Sequence, residues 1–482
     1  MTDATRVRAS TLALFVLGAW PLLLCRVPPL QDLPAHLATA VVIRHPEAYP
    51  NFVFHGFAKT NSSLFVFLHA FGDAHLFLAG KLFVALVVLA HAWVFPRLAL
   101  ELGGRGRVLV ATMLAAPLVH NWFVAMGMLD YALGSALALA CVLLAARQLR
   151  AASASRGVLL GALGILVWYT HIFALALLAL LGAIECARTR SARPARAMAP
   201  LAPAFALAAW SAGVELVRPH APAHAVVYRP PWETVYELWA KYAWSFSKLE
   251  LASLVVTLAL AVALVRGRRD DVPFLSLPAA MVLLALVFVV PSEAADWFAV
   301  NSRFLPFLYA AALVRAPADV PRWATGALGA CALACSIGLG VDYARLARDF
   351  REVAAGAPLV PEDADLYPVM FDAKGSSENT WALVNAWGLY VVDARTSAPL
   401  LFAHSPSFPI GYRTPPPKTA LSDPSFAQRE HGPEAWRAYE GALAERGWVL
   451  EWGTPPAAMI GPIARHELAF ESGRLRLFRP LP

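Results

Sequence analysis

The feature that most constrains this chain is a series of long apolar runs separated by short, arginine-bearing loops. The runs are Thr11–Cys25, 81–100, 108–124, 131–147, 157–187, 197–218, 249–266, 274–291, 303–315 and 322–341. A bilayer core needs roughly 20 apolar residues per spanning helix. A chain that repeats that length so often satisfies its backbone polar groups as a bundle of membrane helices. Composition agrees: of 482 residues, 59% are hydrophobic and 15% are charged, whereas soluble domains run near half apolar and about a quarter charged. Disorder, a collagen-like fibre, a disulfide-stapled mini-protein and an ordinary cytosolic enzyme are all excluded.

The scarce charge is unevenly placed. Residues 1–341 carry 26 Lys/Arg and 16 Asp/Glu, and residues 342–482 carry 14 and 17. The chain divides into a basic multi-spanning membrane domain, 1–341, with a first outer loop over 26–80, and a mildly acidic α/β domain, 342–482. The basicity is no sign of nucleic acid, because the arginines cluster in short loops, where they set orientation. The clusters are Arg6/Arg8, Arg97/Arg105/Arg107, Arg147/Arg150/Arg156, Arg188/Arg190/Arg193/Arg196, Arg266/Arg268/Arg269 and Arg315/Arg322. All six fall on the cytoplasmic side if 157–187 is a hairpin of two short helices and 62–79 does not span. That stretch holds His69, Asp73 and His75, which suits an outer interfacial helix. The expected fold is a polytopic helical protein of about 11 spans, N-terminus inside, with a small extracytoplasmic C-terminal domain. The first run follows Arg6 and Arg8 without an A-x-A site, so it reads as an uncleaved span. The five cysteines all lie in apolar segments and show no disulfide or zinc spacing.

In the C-terminal domain, Leu366–Phe371, Gly388–Val392, Trp448–Trp452 and Leu475–Phe478 read as strands, Pro433–Arg446 as a helix and 406–417 as a Pro-rich loop. No phosphate-binding glycine loop or Ser-His-Asp spacing is present there.

Polar residues gather on the expected outer face. Asp32 follows the first span, and His36 lies one helical turn further. A carboxylate there can serve as general base toward a hydroxyl, or ligate a metal; it can equally cap the helix that begins near Pro34. Asp130, close to His120 and Asn121, sits between two apolar runs and can simply mark the water interface. His171 interrupts an apolar run, where ionisable groups face a cavity or a partner; a core histidine bonded to a carbonyl is the plainer alternative. Asp296, Asn301 and Arg303 open another span, with Glu293 before them. Arginine suits bidentate phosphate binding; a salt bridge from Arg303 to Asp296 or Glu293 is the structural alternative. Arg218, His220, His224 and Arg229 add positive charge to a neighbouring outer loop. Residues 232–250 carry aromatics and lysines at helical spacing, as an interfacial helix does. Charge confined to one face suits an enzyme acting at the outer leaflet better than a pump, which spreads charge between both faces.

This organisation resembles the GT-C superfamily of membrane glycosyltransferases. The likeness rests on Asp32-Leu33-Pro34-Ala35-His36-Leu37, Gly127-Met128-Leu129-Asp130-Tyr131-Ala132-Leu133-Gly134, His171, Asn301-Ser302-Arg303-Phe304 and the tail Gly473-Arg474-Leu475-Arg476-Leu477-Phe478. The resemblance implies sugar transfer from a polyprenyl-phosphate donor to an acceptor at the outer face of a bacterial inner membrane. It implies Asp32 as catalytic base, Arg303 at the donor phosphate, and His36, Asp130, His171, Arg218, Asp296 and Asn301 around the substrate. Many GT-C enzymes carry paired acids in the first loop; here Gln31 and Leu33 flank Asp32, which leaves a divalent metal open. The partners expected are a lipid-linked donor and membrane lipid, with oligomeric state open. The competing readings are a non-enzymatic envelope scaffold and a lipid-linked glycan transporter.

Overall fold

The computed structural model describes residues 2–216, 226–267, 272–294, 297–397, 400–403, 408–414, 443–455, 463 and 465–481. Its helices are α1 (Asp3–Ala19), α2 (Leu33–Arg44), α3 (Ser63–His69), α4 (Leu76–Leu98), α5 (Val108–Val119), α6 (Trp122–Ala125), α7 (Leu129–Arg150), α8 (Ala154–Thr170), α9 (Ile172–Thr189), α10 (Arg193–Met198), α11 (Ala202–Leu216), α12 (Pro231–Ala240), α13 (Ala252–Arg266), α14 (Leu277–Val289), α15 (Leu305–Leu313), α16 (Arg322–Ala354) and α17 (Gly388–Ala394). Among the described residues, six helical stretches are long and apolar enough to cross a membrane: Asp3–Leu24, Asp73–Gly103, Arg105–Ala125, Leu129–Arg150, Ile172–Thr189 and Arg322–Leu359. The chain is a helical membrane protein.

The run 157–187 folds as two helices, α8 and α9, broken at His171. The stretch 62–79 holds the seven-residue α3 and a 3-10 turn, Asp73–His75, that leads into α4 at Leu76. The arginine-bearing loops meet one another at one end of the bundle. Arg147 pairs with Glu101, Arg105 with Asp3 at 2.6 Å, and Arg107 donates to the Ala316 carbonyl at 2.5 Å.

The opposite end carries the first loop and the C-terminal domain. That domain has a four-stranded sheet of β4 (Leu366–Met370), β6 (Trp448–Trp452), β7 (His466–Ser472) and β8 (Leu475–Pro480), ordered β4-β6-β8-β7. β4 and β6 run parallel, with Pro368 opposite Leu450, and every residue of β4 is buried, as both-face coverage of a parallel strand requires. Two short strands in the same region, β1 (Phe52–Phe54) and β5 (Ile410–Tyr412), pair antiparallel and stitch the first loop to the tail. A small hairpin, β2 (Glu293–Ala294) with β3 (Trp297–Phe298), lies between α14 and α15.

Several expectations are corrected. Gly388–Val392 is helical, as α17, and not a strand. A short unbroken apolar run fits either state, and packing decides. α17 crosses α2 so closely that a Cβ on Gly388 would lie 2.5 Å from the Pro34 carbonyl oxygen. The Pro-rich stretch 406–417 contains β5. The boundary drawn at residue 341 falls inside α16, which continues unbroken for 33 residues. The helix expected over Pro433–Arg446 lies outside the described residues except for its last four.

Candidate functional site

The first loop reaches its place by backbone pairing. After the Pro28–Pro29 turn, Gln31 N–H bonds the Ala125 carbonyl at 3.0 Å and Asp32 N–H bonds the Met126 carbonyl at 3.1 Å. Gly127 permits the approach: its φ is +82°, and a Cβ there would stand 2.8 Å from Asp32 N. Both the left-handed backbone and the close contact exclude a side chain.

Asp32 occupies the N-cap position of α2, yet its side chain caps nothing. The carboxylate instead accepts from Asn385 Nδ2 at 3.0 Å and from Gln31 Nε2 at 3.5 Å. It is half-buried on the wall of a cavity of about 680 Å³. Burial pushes its carboxyl up to about 7, while the Gln31 and Asn385 hydrogen bonds pull it down. Asn385 lies in the C-terminal part of the chain, 353 residues away in sequence, so both ends of the chain build the site.

The same cavity is lined by His36, Asp130, Tyr131, His171 and Arg303. His36 Nε2 donates to the Gly127 carbonyl at 3.2 Å, and burial lowers its imidazole to about 4 against that bond. It is therefore neutral at pH 7. The Asp130 carboxylate accepts from the Ser63 hydroxyl and, at 3.1 Å, from Leu64 N–H. It caps α3 from a distant part of the chain, the favourable place for an anion at a helix N-terminus.

Arg303 is 6% exposed. Its guanidinium carbon stands 4.8 Å from the Trp297 ring centroid, 5.2 Å from Tyr131 and 5.8 Å from Phe173. Nη1 lies 2.9 Å from His171 Nε2, Nη2 donates to the Phe298 carbonyl at 3.1 Å, and Nε is buried without a partner. Glu293, a possible ion partner from sequence, pairs instead with Arg229 at 3.6 Å. Among the described residues Arg303 meets no carboxylate. Lys241 shares this corner, its Nζ 4.5 Å from the Trp122 ring centroid and 6.0 Å from that of Phe298. Burial pulls the Lys241 amine below its ordinary range, with Glu237 opposing. The indole N–H of Trp122, on the cavity wall, also lacks an acceptor.

Asn301 does not line the cavity. Its amide donates to Glu237 Oε2 at 3.1 Å and so ties the start of α15 to α12. Arg218 and Asp296 lie outside the described residues.

The remaining wall is a strap, Lys374–Trp381, that sequence reasoning missed. Glu378 and Asn379 N–H groups bond the Phe246 carbonyl at 2.8 and 2.9 Å. Asn379 Nδ2 bonds the Ala240 and Trp244 carbonyls at 2.8 and 2.6 Å, and Trp381 N–H reaches Gln31 Oε1 at 3.1 Å. Trp381 itself is 45% exposed beside the cavity. The available signal was a polar run directly after a predicted strand, where ligand-binding loops of α/β sheets lie. Arg474 at the β7–β8 turn secures the strap's base by pairing with Asp349 at 2.5 Å and Asp372 at 2.8 Å. Asp349 also accepts from Ser376 N–H at 2.8 Å and its hydroxyl at 2.7 Å.

No divalent-cation set forms among the described residues. Such ions take several oxygen ligands, whereas the partners of Asp32 are amide donors and the Asp130 carboxylate is committed to α3.

No family model, curated protein or solved structure matches the chain.

Proposed function

We propose that this protein is a membrane glycosyltransferase that moves a sugar from a polyprenyl-phosphate donor to an acceptor hydroxyl at the outer face of a bacterial inner membrane, on a GT-C-like scaffold. The observation that supports it is one cavity with a carboxylate on one wall and, on another, a buried arginine that meets no carboxylate among the described residues. A base titrating near neutrality and a cation at a leaving phosphate are what displacement at an anomeric carbon requires.

Asp32 takes the proton of the acceptor hydroxyl. The acceptor oxygen attacks the anomeric carbon, and the bond from that carbon to the phosphate oxygen breaks. The electron pair leaves with the lipid phosphate, whose added charge falls to Arg303, with Lys241 nearby. Attack opposite the leaving group inverts the anomeric centre.

In this reading five shorter helices, α8, α11, α13, α14 and α15, cross the membrane beside the six long ones. The N-terminus and the arginine loops are cytoplasmic, the cavity and C-terminal domain outside. α12, with Trp232, Val235 and Tyr236 exposed, lies in the outer interface.

The test is Asp32→Asn in the full chain, assayed for sugar transfer from a polyprenyl-phosphate donor in proteoliposomes. The variant inserts normally and loses transfer. Full activity would sink the proposal.

A further inference from the structure

His171 stands at the break between α8 and α9 and meets two donors. Its Nδ1 accepts the Phe173 N–H at 3.2 Å, which makes it the N-cap of α9. Its Nε2 lies 2.9 Å from Arg303 Nη1. A neutral imidazole has one bare nitrogen and one N–H. In either tautomer, one of these donors therefore faces an N–H instead of a lone pair. Protonating the ring removes the last lone pair and deepens the shortage. Arg303 adds an unpartnered Nε and Trp122 an unpartnered indole N–H, both buried atoms of residues that line the same cavity. The aromatic rings around Arg303 offer faces, not in-plane acceptors. Among the described residues donors are in surplus, and the missing component is an acceptor with several oxygens.

We propose that Arg303 and His171 form a two-donor site for a phosphate oxyanion, with His171 as the neutral Nε2–H tautomer. The cap on Phe173 selects that tautomer, because it needs Nδ1 bare. Arg303 Nη1 then turns from the ring to an oxygen that both donors share, and that turn brings the buried Nε out to a second oxygen. Arginine's fork favours such oxyanions over single-point anions. This rests on the function proposed above for the phosphate's belonging to a lipid donor. It adds that His171 touches the phosphate, as a donor and not as a proton acceptor.

The test uses the full chain in non-ionic detergent, titrated with dodecyl phosphate, inorganic phosphate or dodecanoate and followed by 31P NMR and calorimetry. His171→Asn is the informative variant: its Oδ1 replaces Nδ1 as the cap, while the Nε2 donor is gone. Binding of dodecyl phosphate weakens about tenfold or more in this variant, as expected for loss of a hydrogen bond to a charged group, with ligand-free melting unchanged. Arg303→Gln weakens it further. In 15N spectra the His171 ring, assigned by its loss in His171→Asn, shows a protonated Nε2 and bare Nδ1 when phosphate is bound. Tighter binding of dodecyl phosphate than of inorganic phosphate supports a lipid monoester; equal binding supports the site but reassigns it to a free anion. Unchanged dodecyl phosphate affinity in His171→Asn, or equal affinity for dodecanoate, overturns the inference. Phosphate binding that depends on His171 in a protein that transfers no sugar would uphold the site and remove only the enzymatic reading.

Discussion

Asn385→Ala is the sharpest test of how the two halves of the chain cooperate. Asn385 Nδ2 holds Asp32 Oδ1 at 3.0 Å, and with Gln31 it opposes the burial that lifts the carboxyl to about 7. A hydrogen bond to a charged group contributes about 1.5 kcal/mol or more, and one pKa unit corresponds to about 1.4 kcal/mol. Removing Asn385 therefore raises the apparent value by about one unit. In the proposed mechanism transfer needs the ionised form, so the expected rate rises with pH through about 7 in the wild type. In the variant the whole limb shifts upward. At pH 7 the ionised fraction falls from about a half to about a tenth, and high pH restores the rate. Asn385→Asp should shift the limb further, since two adjacent carboxyls resist ionising together. The assay is kcat/KM for sugar transfer across the pH range. An unshifted limb, or a loss that high pH does not recover, would refute the reasoning. Stability runs the other way. The folded value is raised above the ordinary 3.8, so this group favours folding at low pH, and the advantage is lost as pH rises through the folded value.

Three other outcomes follow from the contacts. Asp130→Asn keeps most activity, because an amide oxygen can still cap α3. Asp130→Ala lowers stability in a detergent melt by about 1 kcal/mol, and loss of activity in the Asn variant at unchanged melting would contradict the capping role. Arg474→Ala removes two ion pairs, one to the buried Asp349; it destabilises by about 2 kcal/mol after discounting for exposure, seen as a lower melting temperature, and no change would show the clamp to be idle. Ala152→Cys and Glu471→Cys, both at exposed positions, label from the cytoplasmic and outer sides respectively; the reverse would overturn the orientation.

The sequence made the bundle legible because membrane helices declare themselves by length and polarity, and the break at His171 followed from a hydrophobic run too long for one span. Asp32 and Arg303 stood out because charge is scarce beside such runs. The partners that define their roles did not stand out. Asn385 is an amide in a soluble stretch, remote in sequence from Asp32, and nothing local marks it. Asp130 reads the same whether it caps α3 or faces ligand, since the difference lies in where Ser63 and Leu64 arrive. Gly388–Val392 favours a strand by residue type, and its contact with α2 makes it a helix.

The uninterrupted α16 has a mechanical consequence. Its 33 residues span about 50 Å, against a hydrocarbon core of about 30 Å, so the helix stands proud of the bilayer like a mast. The outer sheet is rigged to that mast through Arg474 and Asp349. Asp349 lies on the helix itself, so the sheet is held to it by side-chain pairing as well as by the chain that follows Ala354. On the function proposed above, the wall over Asp32 is held at that height, and a long lipid chain would enter and leave sideways, within the leaflet.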